Sequence, residues 1–135
     1  MTLIELIMVM VIITILMAVV IPRAGFDVPS RGSLEGAAYM IASDIRYAQE
    51  FAMANRVSKE IRFTANSDSY SFFPASSLDP SARLPSGITI GTTVTFRFNS
   101  LGEPISGGGS SVTVSGSGSS KTITVANYTG KVSIL

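Results

Sequence analysis

This 135-residue chain contains no Cys and no His, which removes disulfides, thiol nucleophiles, imidazole bases and nearly every transition-metal site. Among its Ser, Asp and Glu residues no nucleophile–base constellation and no metal-ligand spacing is visible. We therefore expect no catalytic residue, no metal, no cofactor and no enzyme activity. The residue whose position demands chemistry is Glu5. It lies one turn into an apolar segment, where a charge at membrane depth costs about 3 kcal/mol or more unless it is paired. Two ways of neutralising it stand open. Glu5 can cap the helix N-terminus at headgroup level, favoured by the helix dipole. Alternatively it pairs with a cation: its own N-terminal amine at Met1 lies one turn back, and a partner molecule packed alongside supplies another.

The element that carries Glu5 is the run LIMVMVIITILMAVVI from Leu6 to Ile21, which has no charge and only Thr14 as a polar residue. As helix, Met1 to Pro22 spans roughly 33 Å, the thickness of a bilayer core. A secretory signal peptide starts with a basic region and ends in small residues at a cleavage site, whereas this segment starts MTLIE and ends IPR. The spacing predicts a membrane-spanning helix that is retained. Pro22 lacks an N–H and clashes with the carbonyl of Ala18, and Gly25, Pro29 and Gly32 follow it, so a break is expected between Ala18 and Gly32. The boundaries read as 1–25 for the membrane helix, 26–32 for a hinge, 33–56 for a second helical half and 57–135 for a globular domain.

Over 33–56 the helical period returns, with Ser33 as expected N-cap and Leu34, Ala37, Ala38, Ile41, Ile45, Ala48 and Ala52 on one face. Met40, Tyr47 and Phe51 fall nearly opposite, on a side that a monomer is expected to leave in water. Either a neighbouring subunit covers them or a long loop of the same domain does, and the first reading makes them subunit contacts. Glu35, Arg46 and Glu50 lie between these stripes as a solvated face whose charges can set register between subunits.

After Arg56 the period changes to two. Lys59 to Thr64 alternates, Tyr70 to Phe73 follows the turn residues Ala65–Ser69, and further strands are expected at 88–90, 94–98, 112–115, 123–126 and 131–134. The Gly/Ser tracts at 106–111 and 115–120 read as flexible turn or loop tips. The fold class is α+β: a long N-terminal helix, its first half in the membrane and broken near Pro22, packed on an antiparallel β-sheet domain.

Met1-Thr2-Leu3-Ile4-Glu5-Leu6, followed by the unbroken apolar run and Pro22, resembles the processed N-terminus of type IV pilins and type II secretion pseudopilins. The resemblance implies cleavage by a prepilin peptidase after a glycine, N-methylation of Met1, and a Glu5 that meets the N-terminal amine of a neighbouring subunit. It also associates a helix break around Pro22 with packing into filaments. Two features depart from the family: Met stands where Phe is usual, and the basic leader is missing, which reads as a mature sequence or as an engineered start. The helix LEGAAYMIASDIRYAQEFAMANR, running into IRF, with VTFRFNSLG and GKVSI later, resembles more loosely the GspH/FimT branch.

The resemblance implies a structural subunit of a pseudopilus or a type IV pilus-like filament. Its partners would be copies of itself or other pilin-like subunits, the inner-membrane assembly platform, the prepilin peptidase, and membrane lipid before assembly. The expected location is the bacterial inner membrane with a periplasmic C-terminal domain, then a periplasmic or surface filament. The alternative is a minor tip or priming subunit that initiates assembly or binds cargo or DNA. Net charge is only +1, from 10 basic and 9 acidic residues, and Arg83, Arg97, Lys121 and Lys131 are scattered. They read as solubilising, so nucleic acid is not an expected partner. Some members of the family bind calcium in a C-terminal loop, but after Asn99 the only acidic side chain here is Glu103, too few carboxylates for an oxygen cage. Asn127-Tyr128-Thr129 matches a glycosylation sequon and reads as a chance match.

Overall fold

The computed structural model describes residues 2–23 and 30–135, and the side chains of residues 2–18 and 34–135. Two helices, α1 (Leu3–Arg23) and α2 (Ser30–Asn55), precede eight strands: β1 (Lys59–Phe63), β2 (Tyr70–Phe73), β3 (Thr89–Ile90), β4 (Val94–Phe98), β5 (Pro104–Ser106), β6 (Ser111–Gly116), β7 (Ser119–Val125) and β8 (Val132–Ile134). The strands form two antiparallel four-stranded sheets, ordered β2-β1-β4-β5 and β3-β6-β7-β8.

Helix α2 lies on both sheets, and its alanines decide how closely. Ala37, Ala38, Ala42, Ala48 and Ala52 are fully buried beside Ile41 and Ile45. Small side chains let the helix backbone approach the sheets, while the two isoleucines fill the gap and each contributes about 1.5–3 kcal/mol by burial. The facing wall comes from alternate strand positions: Ile61 and Phe63, Phe96 and Phe98, Val112 and Val114, Ile123 and Val125. The helix ends where Arg56 turns to a positive φ of 55°, and the Val57 N–H closes back on the Ala52 carbonyl at 3.2 Å. This is a Schellman closure made without its usual glycine.

The start of the second helix differs from the expectation. Helix α2 starts at Ser30, so Ser33 is not its N-cap and Ser30 to Gly32 belong to the helix rather than to the hinge. Glycine costs a helix only about 1 kcal/mol relative to alanine, which a packed 26-residue helix absorbs. Helix α1 runs through Pro22 to Arg23, and residues 24–29, with the end expected for the membrane helix and the rest of the hinge, lie outside the described residues. The tract 115–120 is a tight hairpin turn between two strands: Gly116 pairs with Ser119, and only Ser117 and Gly118 turn, both at positive φ as a type I′ turn requires. Strand β5 was not expected. It is three residues long and begins with Pro104, tolerated because it forms a sheet edge. The loop after it must be glycine at 107, where φ is 77° and a Cβ would meet the Thr95 carbonyl oxygen at 2.5 Å.

Candidate assembly surface

The side chains of α1 from Leu3 to Ala18 are all exposed, and apart from Glu5 and Thr14 all are apolar. Thr14 turns its hydroxyl inward along the helix, donating to the Met10 carbonyl at 2.7 Å, so its polarity is satisfied without a partner. The helix surface is thus apolar all round, with Leu6, Ile7, Met10, Val11, Thr14 and Ile15 lining a shallow groove between two ridges four residues apart in repeat. No helix among the described residues is long and apolar enough to cross a membrane. The described side chains of α1 cover about 24 Å, short of the roughly 30 Å of a hydrocarbon core.

At the start of α1 the Thr2 hydroxyl accepts from the Glu5 N–H at 3.3 Å, while the Thr2 N–H donates to the Glu5 carboxylate at 3.5 Å. The reciprocal pair is a capping box. Within one chain, therefore, Glu5 serves the helix end. Met1, and with it the amine, lies outside the described residues.

On α2 the residues expected to meet a neighbour divide. Glu35, Arg46 and Glu50 are exposed, and Arg46 also donates to the Val132 carbonyl at 3.3 Å, tying the helix to β8. Met40, Tyr47 and Phe51 are half-buried in their own domain, so the expectation that a lone domain leaves them in water is corrected. Met40 packs against the hydrophobic core, and for Tyr47 and Phe51 the cause is a polar seam beside the first sheet. Lys59 is fully buried; its ammonium donates to the Pro74 carbonyl at 2.6 Å and to Asp79 at 2.7 Å, and sits 4.4 Å from the centre of the Phe51 ring. Tyr47 donates to the same Asp79 oxygen at 3.0 Å and packs edge-on against Phe72 at 5.5 Å. These bonds hold segment 74–81 beside Tyr47, with Lys59 between it and Phe51.

Beside it Tyr70 donates to Asp44, which is itself buried. Burial pushes the Asp44 carboxyl up, against the opposing hydrogen bond from Tyr70. Burial also raises Tyr70, as does Asp44. Burial would likewise raise Asp79, but the hydrogen bonds from Lys59, the Ser76 N–H and Tyr47 outweigh it and hold the carboxyl below its usual range. Tyr47 is pushed up to about 12 by burial and by its bond to Asp79.

The sequence carries only part of the signal for this seam. Alternation in Lys59-Glu60-Ile61-Arg62-Phe63 places Lys59 on the same face as Ile61 and Phe63, hence in the core. Glu60 faces the other way, between Arg62 and Arg97. Arg83 pairs with Asp68 at 4.0 Å elsewhere on the surface. Two of the four basic residues considered for nucleic acid are therefore compensated, and in different places. Among the described residues no cluster of three or more metal-ligating side chains occurs.

No protein-family model and no curated protein matches the chain. Two solved structures do, both of the type IV minor pilin FimU of Pseudomonas aeruginosa strain PAO1, in two crystal forms. One is 15% identical with a TM-score of 0.57, covering 76% of this chain and 92% of that one. The other is 15% identical with a TM-score of 0.59, covering 78% and 90%. The chain therefore has a type IV pilin-like fold.

Proposed function

We propose that this chain is a structural subunit of a pilus-like filament, anchored in a bacterial inner membrane by α1 and assembled by side-by-side packing of α1 helices. The observation that carries the reading is an apolar helix exposed on every described side, attached to a pilin-like head. Such a surface is stable only in lipid or against other apolar helices. In the membrane the Thr2–Glu5 capping box keeps the carboxylate hydrogen-bonded. In a filament, the same carboxylate would accept the N-terminal amine of a neighbour, with Met1 as the processed and methylated residue. No enzymatic role is proposed.

The likeness to a minor pilin favours a second reading, a low-copy tip or priming subunit of a pilus or of a type II secretion pseudopilus. Electron microscopy of the purified full-length protein tests the first reading directly. Filaments of this chain alone support it. Assembly only on mixing with other pilin-like subunits moves the reading to the minor role, and no incorporation under either condition removes both.

A further inference from the structure

Segment 74–81 leaves β2 and crosses the Tyr47–Phe51 stripe of α2 with few bonds of its own. Inside it, the Asp79 N–H donates to the Ser76 carbonyl at 3.1 Å, the Ser76 N–H to Asp79 at 2.7 Å, and the Leu78 N–H to the Ser76 hydroxyl at 3.3 Å. These bonds make a closed turn that presents Leu78, 75% exposed, at its tip. Its hydrogen bonds to the rest of the domain, among the described residues, are three: Lys59 to the Pro74 carbonyl, Lys59 to Asp79, and Tyr47 to Asp79. Every one of them runs through Lys59 or Asp79. Beyond the segment the chain is held independently, by the Tyr70 N–H on the Ala82 carbonyl and the Leu84 N–H on the Asp68 carbonyl, with Ala82 and Leu84 plugged into the core.

We propose that segment 74–81 is a latch, closed over α2 by the single Lys59–Asp79 clasp and lifting as one unit when that charge pairing is lost, while the two sheets stay folded. A stretch tied by three hydrogen bonds that all pass through Lys59 or Asp79, between two firm anchors, has few contacts to break and fixed ends to return to. A buried ion pair adds little net stability over apolar residues of the same size, but losing one partner's charge is costly, which suits a fastening better than a core. Opening uncovers Tyr47 and Phe51. Their use as a contact face then rests on the filament-subunit reading, whereas the opening itself does not.

Acid is the simplest trigger. The groups facing Asp79 are Lys59 from β1 and Tyr47 from α2; Asp44 on α2 acts on Tyr47 through space, and Tyr70 of β2 is held by Asp44. Protonating Asp79 leaves the Lys59 ammonium buried without its counter-charge, and the latch gives way.

Hydroxyl-radical labelling of the full-length protein in detergent, located residue by residue by mass spectrometry, tests this, because the bonded N–H groups of the segment pair only within it and stay paired when it lifts whole. In the wild type, labelling of Tyr47 and Phe51 should rise severalfold as the pH drops below the ordinary carboxylate range, with the core residues Phe96 and Phe98 still protected. Asp79→Asn should show the same local rise already at neutral pH and no further change in acid. Tyr47→Phe, which keeps the charge pairing, should leave Phe51 labelled as in the wild type at neutral pH. The proposal is overturned if Tyr47 and Phe51 become labelled only together with Phe96 and Phe98, or if Asp79→Asn folds and protects them like the wild type. Because no filament is involved, failure of the assembly reading leaves this result interpretable.

Discussion

The two helices solve opposite problems. Helix α1 is apolar on every described side and none of its described side chains is buried, whereas α2 sorts its residues into a fully buried alanine and isoleucine stripe, a half-buried aromatic stripe and an exposed charged flank. What α1 contributes is surface for something else to cover; what α2 contributes is the domain's own stability. Mutations in the two should therefore act on different measurements, and the contrast can be broken by any variant that crosses over.

The largest effect expected is on assembly. On the proposed pairing between subunits, Glu5→Ala should insert in the membrane and incorporate into filaments at least about tenfold less well than wild type, since a neighbour's amine would then lack its counter-charge. Glu5→Asp should be intermediate, and neither should change the denaturation midpoint of the head. Wild-type filament yield from Glu5→Ala would leave the capping box as this residue's whole role.

Next in size is Ile45→Ala, which opens a cavity under α2 and should cost the domain about 2–5 kcal/mol in urea or guanidinium unfolding. Ile12→Ala, the same kind of truncation in α1, should leave that midpoint unchanged. A loss for Ile12→Ala comparable to that for Ile45→Ala would mean that α1 packs on its own head.

A smaller effect is the pH dependence of the seam. Asp44, raised chiefly by burial, binds its proton more tightly folded than unfolded, so its contribution improves as pH falls through its raised pKa toward the ordinary carboxylate value. Asp79 is lowered, burial notwithstanding, by its bonds to Lys59, Ser76 and Tyr47, so its contribution is complete above the ordinary value and is lost as pH falls through the depressed one. Denaturation midpoints should thus rise on mild acidification and then fall. Asp44→Asn should abolish the rise and keep the fall; a rise that survives in that variant assigns it to other groups.

The smallest change expected is at the end of α2. Arg56 occupies a left-handed conformation that costs a side-chain-bearing residue roughly 1 kcal/mol. Arg56→Gly should raise domain stability by about 0.5–1 kcal/mol in the same unfolding assay, without touching α1 or filament yield.

Much of this was legible in the residues. The apolar run 6–21, the stripe from Leu34 to Ala52 and strands such as Val94–Phe98 follow from local period, because burial imposes 3.6 on a helix and 2 on a strand wherever the chain passes. Lys59 was legible in the same way, since alternation alone put it in the core. Its partner was not: Asp79 lies 20 residues away in a segment without periodicity, and nothing local says where such a segment crosses. The same holds for β5, three residues led by a proline, whose pairing with β4 is a property of the sheet rather than of the segment.

By itself, then, the sequence determined the exposed apolar helix, the carboxylate within it and the α-then-β order, all consequences of short-range pattern and of the cost of charge in lipid. Only the tertiary structure decided that the strands divide into two sheets, that α2's aromatic stripe is covered by its own domain, and that a buried ammonium fastens the cover. Those depend on which distant segments meet, and that is set by the sum of many weak contacts rather than by any one stretch of residues.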